Sequence, residues 1–298
     1  MIFLHVDVDN LWIYEKEFGV KILKDPEFIY THSLPILLKL LKKSNSKATF
    51  MIIGQDLLLP KCRKFCKKAV SEGHEIANHS WSHPVLFGKM SFKEKQAQIV
   101  KAHEIIAKVC KVEPIGFRGP GYYQDPEIVS ILQKLNYKYD SSVLPGFSEL
   151  LMKLYAYIRG GENRHKTFGR MNYLISSRNP YALRSPHNKK GLLELPISTL
   201  PVLRLPIHTT FAYFFGKRYR NLIIKYFNTK PKHALYLFHA IDFVNLETPD
   251  KNHPVIPLRI KFEKRISFLE ETLNTLVLAN GGPLKTSRET INSIKLRL

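Results

Sequence analysis

Strand and helix patterns alternate through the first 140 residues, and this order restricts the fold more than any other feature of the chain. Runs of β-branched and aromatic residues predict strands, and amphipathic segments predict helices between them. Strands joined by helices form parallel sheets whose faces the helices cover, so an α/β fold is expected. The predicted strands are 2–8, 47–54, 74–79, 114–120 and 137–143, and the predicted helices are 33–43, 59–73, 91–111 and 126–136.

The second half of the chain adds two strand patterns, at 191–198 and 233–243. A long helix pattern follows at 259–281, where Gly281 is expected just beyond the helix end. Roughly seven strand signals in one chain fit a barrel better than two separate domains.

We therefore expect a single domain over residues 1–298. Hydrophobic residues make up 44% of the chain, which is enough for a large core. No apolar run reaches the roughly 18 to 20 residues that a membrane span needs. Residues 145–190 and 201–232 are interpreted as insertions that form loops or a cap.

The N-terminal residues and the cysteines indicate a reducing compartment. Residues 1–10 already read as a strand ending in acidic residues, without a basic leader or an apolar signal region. Three cysteines are an odd number for a disulfide framework, so reduced structural thiols are favoured over a zinc site at Cys62 and Cys66. These observations predict a cytoplasmic protein.

Positive charge is concentrated in one part of the sequence. The net charge is +21, and between residues 163 and 241 the only acidic residue is Glu194, against 14 lysines and arginines. Residues 209–227 add a cluster of aromatic side chains to this stretch. Such a segment suits an anionic membrane surface, a phosphorylated ligand or nucleic acid, and equally a solvated basic face.

Two carboxylates end the first predicted strand. Side chains alternate along a strand, so Asp7 and Asp9 share one face with Phe3 and His5. Two carboxylates on one face are costly unless something positive lies near them, and a metal ion would satisfy this requirement. Solvated acids at an exposed strand end are the alternative.

Two histidines lie four residues apart in the segment IANHSWSHP. Pro84 and Trp81 argue against a regular helix for His79 and His83, so a turn after a strand is expected. Two neutral imidazoles and one carboxylate form an open three-ligand metal site. Two ordinary loop histidines remain the alternative.

Three further segments carry polar groups at predicted strand ends. Arg118 precedes a Gly-Pro-Gly turn that can present a backbone N–H to a ligand. Asp140 and His239 each end a predicted strand. An aspartate partner raises the pKa of an imidazole, as a general acid requires, and both Asp242 and Asp140 are candidates for this partner.

The order of these segments resembles the NodB-type polysaccharide deacetylase family, also called carbohydrate esterase family four. The resemblance runs from residue 1 to about 243 and includes the final helix pattern. It implies a distorted (β/α)7 TIM-like barrel with loop insertions, the NodB homology fold. It also implies a hydrolase that depends on a divalent metal, usually zinc.

The resemblance implies roles for the first two motifs. Asp7 matches the general base, and Asp9, His79 and His83 match the ligands of the metal. Ser80 matches the residue that supports the histidine loop.

The resemblance also implies roles for the later motifs. Arg118 matches the residue that orients the base, and Gly121 or Tyr122 the backbone N–H that contacts the oxyanion. Asp140 matches the residue that tunes the general acid, which is His239.

The first motif reads D-V-D-N, where D-D-G is commoner in the family. This form resembles the branch that contains intracellular deacetylases and deformylases of lipid-linked amino sugars. The implied substrate is an N-acylated, most simply N-acetylated, amino sugar or glycan intermediate, lipid- or nucleotide-linked, with peripheral contact to an anionic membrane. Hydrolysis of another carbon–nitrogen amide bond, as in deformylases or allantoinases, and a non-catalytic membrane- or nucleic-acid-binding barrel are the alternatives. Specific nucleic-acid binding is not expected.

Overall fold

The computed structural model describes residues 1–146, 171–185, 188–246 and 249–294. Residues 147–170 and 186–187 of the predicted insertion at 145–190 therefore lie outside the described residues. The described strands are β1 (Ile2–Val8), β2 (Thr49–Ile52), β3 (Glu75–Asn78), β4 (Gly116–Phe117), β5 (Tyr139–Asp140), β6 (Tyr181–Ser185), β7 (Asn188–Glu194) and β8 (Ala234–His239). The described α-helices are α1 (Leu11–Phe18), α2 (Leu34–Lys43), α3 (Pro60–Ser71), α4 (Phe92–Cys110), α5 (Pro126–Lys134), α6 (Thr209–Asn228), α7 (Phe262–Asn280) and α8 (Ser287–Thr290).

The chain divides into two compact units, each made of several segments. The first unit contains Met1–Ile52, Asp56–Ile76 and Ile207–Ser287. The second unit contains Ile53–Gln55, Ala77–Pro206 and Arg288–Leu298. The single domain over 1–298 stays a prediction.

In the first unit, β1 pairs in parallel with β2 on one side and with β8 on the other. All seven residues of β1 are buried, as its predicted central position in a parallel sheet requires. The register places Asp7 opposite His239 of β8. Because the three strands are parallel, their carboxyl ends, where these polar side chains lie, meet at one edge.

The helices of the first unit follow the sequence signals at their ends. Pro35 lies in the first turn of α2, where a missing N–H costs nothing, and leucines fill the buried face of that helix. α7 ends at Gly281, which adopts the left-handed conformation with φ 75°. The predicted end of the last long helix is therefore confirmed.

Residues 201–232, interpreted from the sequence as an insertion that forms a loop or a cap, are helical over most of their length, and the insertion itself stays a prediction. α6 occupies this part of the chain, with a break at Gly216, whose φ is 74°. Aromatic and aliphatic side chains spaced four and eight residues apart supply the buried face that stabilises the helix. Its aromatic residues were interpreted as a surface cluster, whereas three of them are buried: Phe211, Tyr219 and Phe227.

In the second unit the strand order is β6-β7-β5-β4-β3. The pairs β3–β4, β4–β5 and β5–β7 are parallel, and only β6–β7 is antiparallel among these pairs. The register aligns Phe117 with Asp140, and Asp140 with Glu194. A row of polar residues therefore follows the strand ends in this unit too.

The helices of the second unit have well-defined N-termini. Ser91 and Glu94 form a capping box at the start of α4. Asp125 caps α5 by accepting a hydrogen bond from the Ile128 N–H at 2.9 Å. Both helices pack on an apolar cluster that includes Phe117 of β4. This packing fixes β4 and the turn that follows it.

All three cysteines, Cys62, Cys66 and Cys110, are buried, and none of them forms a disulfide. No helix in the described ranges is both long and apolar enough to cross a membrane.

Candidate active site

The first unit brings Asp7 of β1 and His239 of β8 together. The register pairs these residues, and His239 Nε2 lies 3.9 Å from Asp7 Oδ2. Both side chains are at most a tenth exposed. A carboxylate and an imidazole thus face each other at one strand edge, and together they can accept and donate protons.

The turn after β8 fixes the backbone of His239. Asp242 Oδ2 accepts a hydrogen bond from the His239 backbone N–H at 2.9 Å. Burial raises the pKa of Asp242, although the adjacent His239 opposes this shift. The His208 ring lies against the His239 ring, with centroids 5.8 Å apart. His208 was not identified from the sequence, where a lone histidine before a helix carried no signal.

Asp9 follows β1 and is 8% exposed. The Tyr14 hydroxyl lies 3.5 Å from Asp9 Oδ2. A second buried carboxyl, Asp56, accepts hydrogen bonds from Tyr30 at 2.7 Å and from Trp12 at 3.0 Å. Burial raises the pKa of Asp56 despite these bonds. Sequence analysis missed Asp56 because its partners are distant in the chain.

The second unit holds His79 and His83 on one tight loop after β3. Ser80 and His83 both have positive φ, 64° and 44°, so this segment is not a helix, as expected. Ser80 Oγ accepts from the His83 N–H at 3.1 Å, and the Ser80 N–H donates to Asn78 Oδ1 at 2.8 Å. The two imidazole rings have centroids 4.9 Å apart. The geometry of Ser80 suits the support role expected of it.

The orientation of the His79 ring is set by one backbone contact. His79 Nδ1 lies 2.7 Å from the carbonyl oxygen of Arg118. A carbonyl only accepts, so Nδ1 carries the proton and Nε2 presents its lone pair. Metal-binding histidines are commonly oriented by such a second contact.

The described residues contain one group of three acidic, histidine or cysteine side chains that could together hold a metal ion: Asp9, His79 and His83. Asp9 and His79 are buried and His83 is half-buried. One carboxylate and two imidazoles are a donor set that divalent zinc accepts, with further positions left for water and substrate. The donor chemistry and the His79 tautomer therefore both fit a metal.

Arg118 is fully buried at the end of β4. Its Nε donates to the Ser141 carbonyl and its Nη2 to Ser141 Oγ, both at 2.8 Å. The next residue, Gly119, donates its N–H to Ser142 Oγ at 2.8 Å. Ser141 and Ser142, which follow β5, thus hold Arg118 and Gly119, which follow β4, in place by hydrogen bonds.

The Gly-Pro-Gly turn distinguishes the two candidates for the oxyanion contact. Gly121 and Tyr122 both have positive φ, 63° and 58°. The Tyr122 N–H donates to the Gly119 carbonyl at 3.1 Å, so the turn itself uses it. The Gly121 N–H donates no hydrogen bond within the part of the chain that the structure describes. Of the two, Gly121 is therefore the better candidate.

Asp140 lies beside a carboxyl that the sequence analysis assigned no role. Glu194 is its register partner on β7, and both side chains are fully buried. Burial raises the pKa of Asp140 to about 7 and the pKa of Glu194 well above its usual value. The only signal in the sequence was that Glu194 is the single acid of a basic stretch. The predicted pairing of Asp140 with His239 joins residues of different units and stays a prediction.

Comparison with known proteins agrees with the motifs. The polysaccharide deacetylase family model matches residues 27–139, a range that contains His79, His83 and Arg118. A peptidoglycan-N-acetylglucosamine deacetylase of Bacillus cereus is 37% identical over 86 residues, which are 29% of this chain and 30% of that protein. The peptidoglycan-N-acetylmuramic acid deacetylase PdaC of Bacillus subtilis is 36% identical over 84 residues, or 28% of this chain and 17% of that protein. The chain thus spans less than a third of the length of these two relatives.

Solved structures share the fold over the whole chain. A Mycobacterium smegmatis protein assigned to the polysaccharide deacetylases has a TM-score of 0.62 at 15% identity, covering 100% of this chain and 92% of its own. A family-four pseudoenzyme from Bacillus anthracis has a TM-score of 0.51 at 14% identity, covering 100% and 66%. These likenesses show the fold alone, and they confirm the predicted α/β barrel of NodB type. Residues 27–139 thus match the polysaccharide deacetylase family model, and the aligned relatives and the shared fold agree with that match.

Proposed function

We propose that the protein hydrolyses the N-acyl group, most simply N-acetyl, of an amino sugar. The observation that carries the proposal is the donor set of Asp9, His79 and His83. The Arg118 carbonyl accepts the proton on His79 Nδ1, so His79 Nε2 is unprotonated and has a lone pair for a metal. The activities named for the aligned Bacillus relatives support the same reaction class. We assign the metal-ligand role to these three residues.

A divalent metal, most simply zinc, would be held by those residues. When bound, such an ion polarises an acyl oxygen and lowers the pKa of a water. The chain supplies the positions of the ligands: the loop hydrogen bond from the His83 N–H to Ser80 Oγ fixes both histidines. Burial of Asp9 excludes competing water from its side of the site.

Asp7 and His239 carry out the proton transfers in this proposal. Asp7 accepts a proton from the water whose oxygen attacks the acyl carbon. His239, as imidazolium, donates a proton to the amine nitrogen while the carbon–nitrogen bond breaks. The products are a carboxylate and a free amino sugar. His239 Nε2 lies 3.9 Å from Asp7 Oδ2, so the proposed acid and base are held at the same strand edge.

Arg118 and Gly121 have supporting roles in the proposal. The Gly121 N–H donates to the oxygen that becomes negative when water attacks; one such donor is worth about 3 kcal/mol. Arg118 anchors the start of this turn by its two bonds to Ser141. Arg118 is also proposed to orient the base, as the family resemblance implies.

The test is a mass-spectrometric screen of N-acylated sugars, free, nucleotide-linked and lipid-linked, with metal content measured on the same samples. Loss of the acyl mass with appearance of the free acid supports the proposal. Release of ammonia or formate instead would favour cleavage of another carbon–nitrogen bond. The matched variants are His79→Ala, expected to lose metal and activity, and Asp7→Asn, expected to lose activity and keep most of the metal.

We also propose that the substrate is carried by a lipid at an anionic membrane surface, to which the protein binds peripherally from the cytoplasm. Nine large hydrophobic side chains are exposed in the described residues, and six of them lie between 163 and 241. They are Ile175, Val202, Leu203, Phe214, Phe215 and Leu222.

The break in α6 presents the most suitable membrane-binding group. Phe214 and Phe215, 51% and 41% exposed, immediately precede Gly216. Lys217 and Arg218 follow it and are also exposed. Aromatic rings insert at the headgroup level, and each nearby cation contributes about 1 kcal/mol on an anionic surface.

Flotation with vesicles that contain a tenth to a third of anionic lipid tests this surface. Phe214→Ser with Phe215→Ser is expected to weaken binding about tenfold, since burial of two rings is lost. Leu278→Ser is the matched control, because Leu278 is 74% exposed outside the acid-poor stretch. Binding should fall as salt rises. Equal binding to neutral vesicles, or no binding at low salt, would exclude this part of the proposal.

A further inference from the structure

Asp140 and Glu194 each have one oxygen with a donor and one without. Ser142 Oγ donates to Asp140 Oδ1 at 2.5 Å, and the Val143 N–H donates to Glu194 Oε1 at 2.9 Å. Within the described part of the chain, Asp140 Oδ2 and Glu194 Oε2 are buried and meet no N–H or O–H of another group. The two carboxyls are register partners on adjacent parallel strands. Two unsatisfied acceptors thus occur on one buried pair.

A single proton resolves this arrangement. Two buried carboxylates side by side repel each other and leave both free oxygens without a partner, which costs several kcal/mol. One proton placed between the two free oxygens replaces two unsatisfied acceptors by one hydrogen bond. Because its acceptor is ionised, this bond is stronger than one between neutral groups. We propose that Asp140 and Glu194 share one proton between Asp140 Oδ2 and Glu194 Oε2, and that Glu194 is a positioning residue for the turn at Gly119–Tyr122.

The surroundings place the negative charge on Asp140 and the proton on Glu194. The Arg118 guanidinium lowers the pKa of both carboxyls and does not choose between them, whereas Asp140 alone of the pair accepts from a hydroxyl, that of Ser142. Glu194 accepts only from a neutral backbone N–H, that of Val143. Among the described residues, Tyr181 on β6 also faces the pair. Burial raises the pKa of Tyr181, with further increases from Glu194 and Asp140, so it stays neutral. The raised pKa of both carboxyls, caused first by burial, means that the pair keeps its proton at neutral pH.

The pair reaches the turn through one serine. The ionised Asp140 accepts from Ser142 Oγ, which directs the serine lone pair towards the Gly119 N–H at 2.8 Å. Position 119 accepts only glycine without a rearrangement, because a Cβ there would lie 2.1 Å from the Tyr123 carbonyl oxygen. A displaced Ser142 therefore moves the turn that presents the Gly121 N–H. The consequence for catalysis rests on the proposed deacetylase function, whereas the shared proton does not.

Two substitutions at 194 separate hydrogen bonding from packing. Glu194→Gln keeps an acceptor for the Val143 N–H and a donor for Asp140, and removes the ionisable group. Glu194→Met fills a similar volume, but it removes both the acceptor for the Val143 N–H and the donor for Asp140. Glu113→Gln is the control, because that side chain is 70% exposed and in the same unit.

The first readout does not depend on activity. The infrared difference spectrum at pH 7, wild type minus Glu194→Gln, should contain the C=O band of a protonated carboxyl, and the wild type minus Glu113→Gln spectrum should not. The second readout is the pH profile of acyl release. Glu194→Gln should keep kcat within about threefold and extend activity to higher pH, whereas Glu194→Met should lower kcat about tenfold or more with KM little changed.

The two hypotheses fail in different ways. Absence of the carboxyl band refutes the shared proton whether or not any sugar is deacetylated. If the band is present and the Gln and Met variants have the same kcat and pH profile, the positioning role of Glu194 is refuted. If the band is present and no acylated sugar reacts, the shared proton stands and the deacetylase proposal fails.

Discussion

Replacement of Arg265 tests how the general-acid candidate is held in place. Arg265 of α7 is 2% exposed and donates to four backbone carbonyls. Three of these carbonyls lie directly after His239, and the fourth belongs to Ile260 at the start of the helix. They are those of Ile241, Asp242, Val244 and Ile260. A single guanidinium therefore links the helix to the turn that follows β8.

Arg265→Met keeps most of the aliphatic volume and removes every donor. Each buried carbonyl left without a partner costs about 1–3 kcal/mol, and partial relaxation offsets some of the total. We expect a loss of about 3–5 kcal/mol, a large share of the roughly 5–15 kcal/mol that stabilises a folded protein. Arg265→Lys should be less stable than the wild type and more stable than Arg265→Met. The reason is that one ammonium group cannot donate to all of the carbonyls that the guanidinium reaches.

Urea unfolding followed by circular dichroism measures this change, and acyl release on the same preparations measures its effect at His239. Arg220→Met is the control. The Arg220 guanidinium lies over the Phe268 ring of α7, 5.0 Å from the ring centroid, and its replacement should cost about 1 kcal/mol or less. If Arg265→Met unfolds within about 1 kcal/mol of the wild type, the carbonyl-anchoring argument is wrong.

Three further predictions address other parts of the molecule. Dialysis against a chelator should abolish acyl release in the wild type, and added zinc should restore it there but not in His79→Ala, as measured by activity and metal analysis. Lys95→Met should cost about 3 kcal/mol in urea unfolding, because it leaves Asp125, paired at 2.6 Å, with a buried uncompensated charge. Burial lowers the pKa of His74 to about 4. Since the unfolded imidazole binds its proton near pH 6.5, the wild type should lose about 3 kcal/mol as the pH falls from 6.5 to 4, and His74→Asn should lose less over that interval.

The sequence predicts the elements whose hydrophobic period and end signals agree. Three elements illustrate this point. β1 is a fully buried run, α4 begins at a capping box at Ser91, and α7 ends at Gly281; each signal is compatible with one local structure. α6 was missed because Gly216 interrupts its period. Its aromatic residues also serve two environments, since Phe211 is buried whereas Phe214 is exposed.

The candidate site divides in the same way. Asp7, Asp9 and the two histidines could be proposed from the sequence because short motifs place several polar groups close together. Glu194 could not, since its importance comes from its alignment with Asp140 across a strand pair formed by residues 54 positions apart. Its isolation in a basic stretch was visible, but it was interpreted through net charge, where one acid among 14 cations counts for little.

The fold alone cannot carry the functional proposal for this chain. A pseudoenzyme from Bacillus anthracis matches the whole chain with a TM-score of 0.51, so an inactive protein can have this fold. What distinguishes a hydrolase is the chemistry at the strand ends: an oriented His79 lone pair, a carboxylate facing His239, and a turn with an available N–H at Gly121. Each depends on a different contact. Loss of any one by substitution should therefore impair acyl release while the circular dichroism spectrum of the fold stays unchanged.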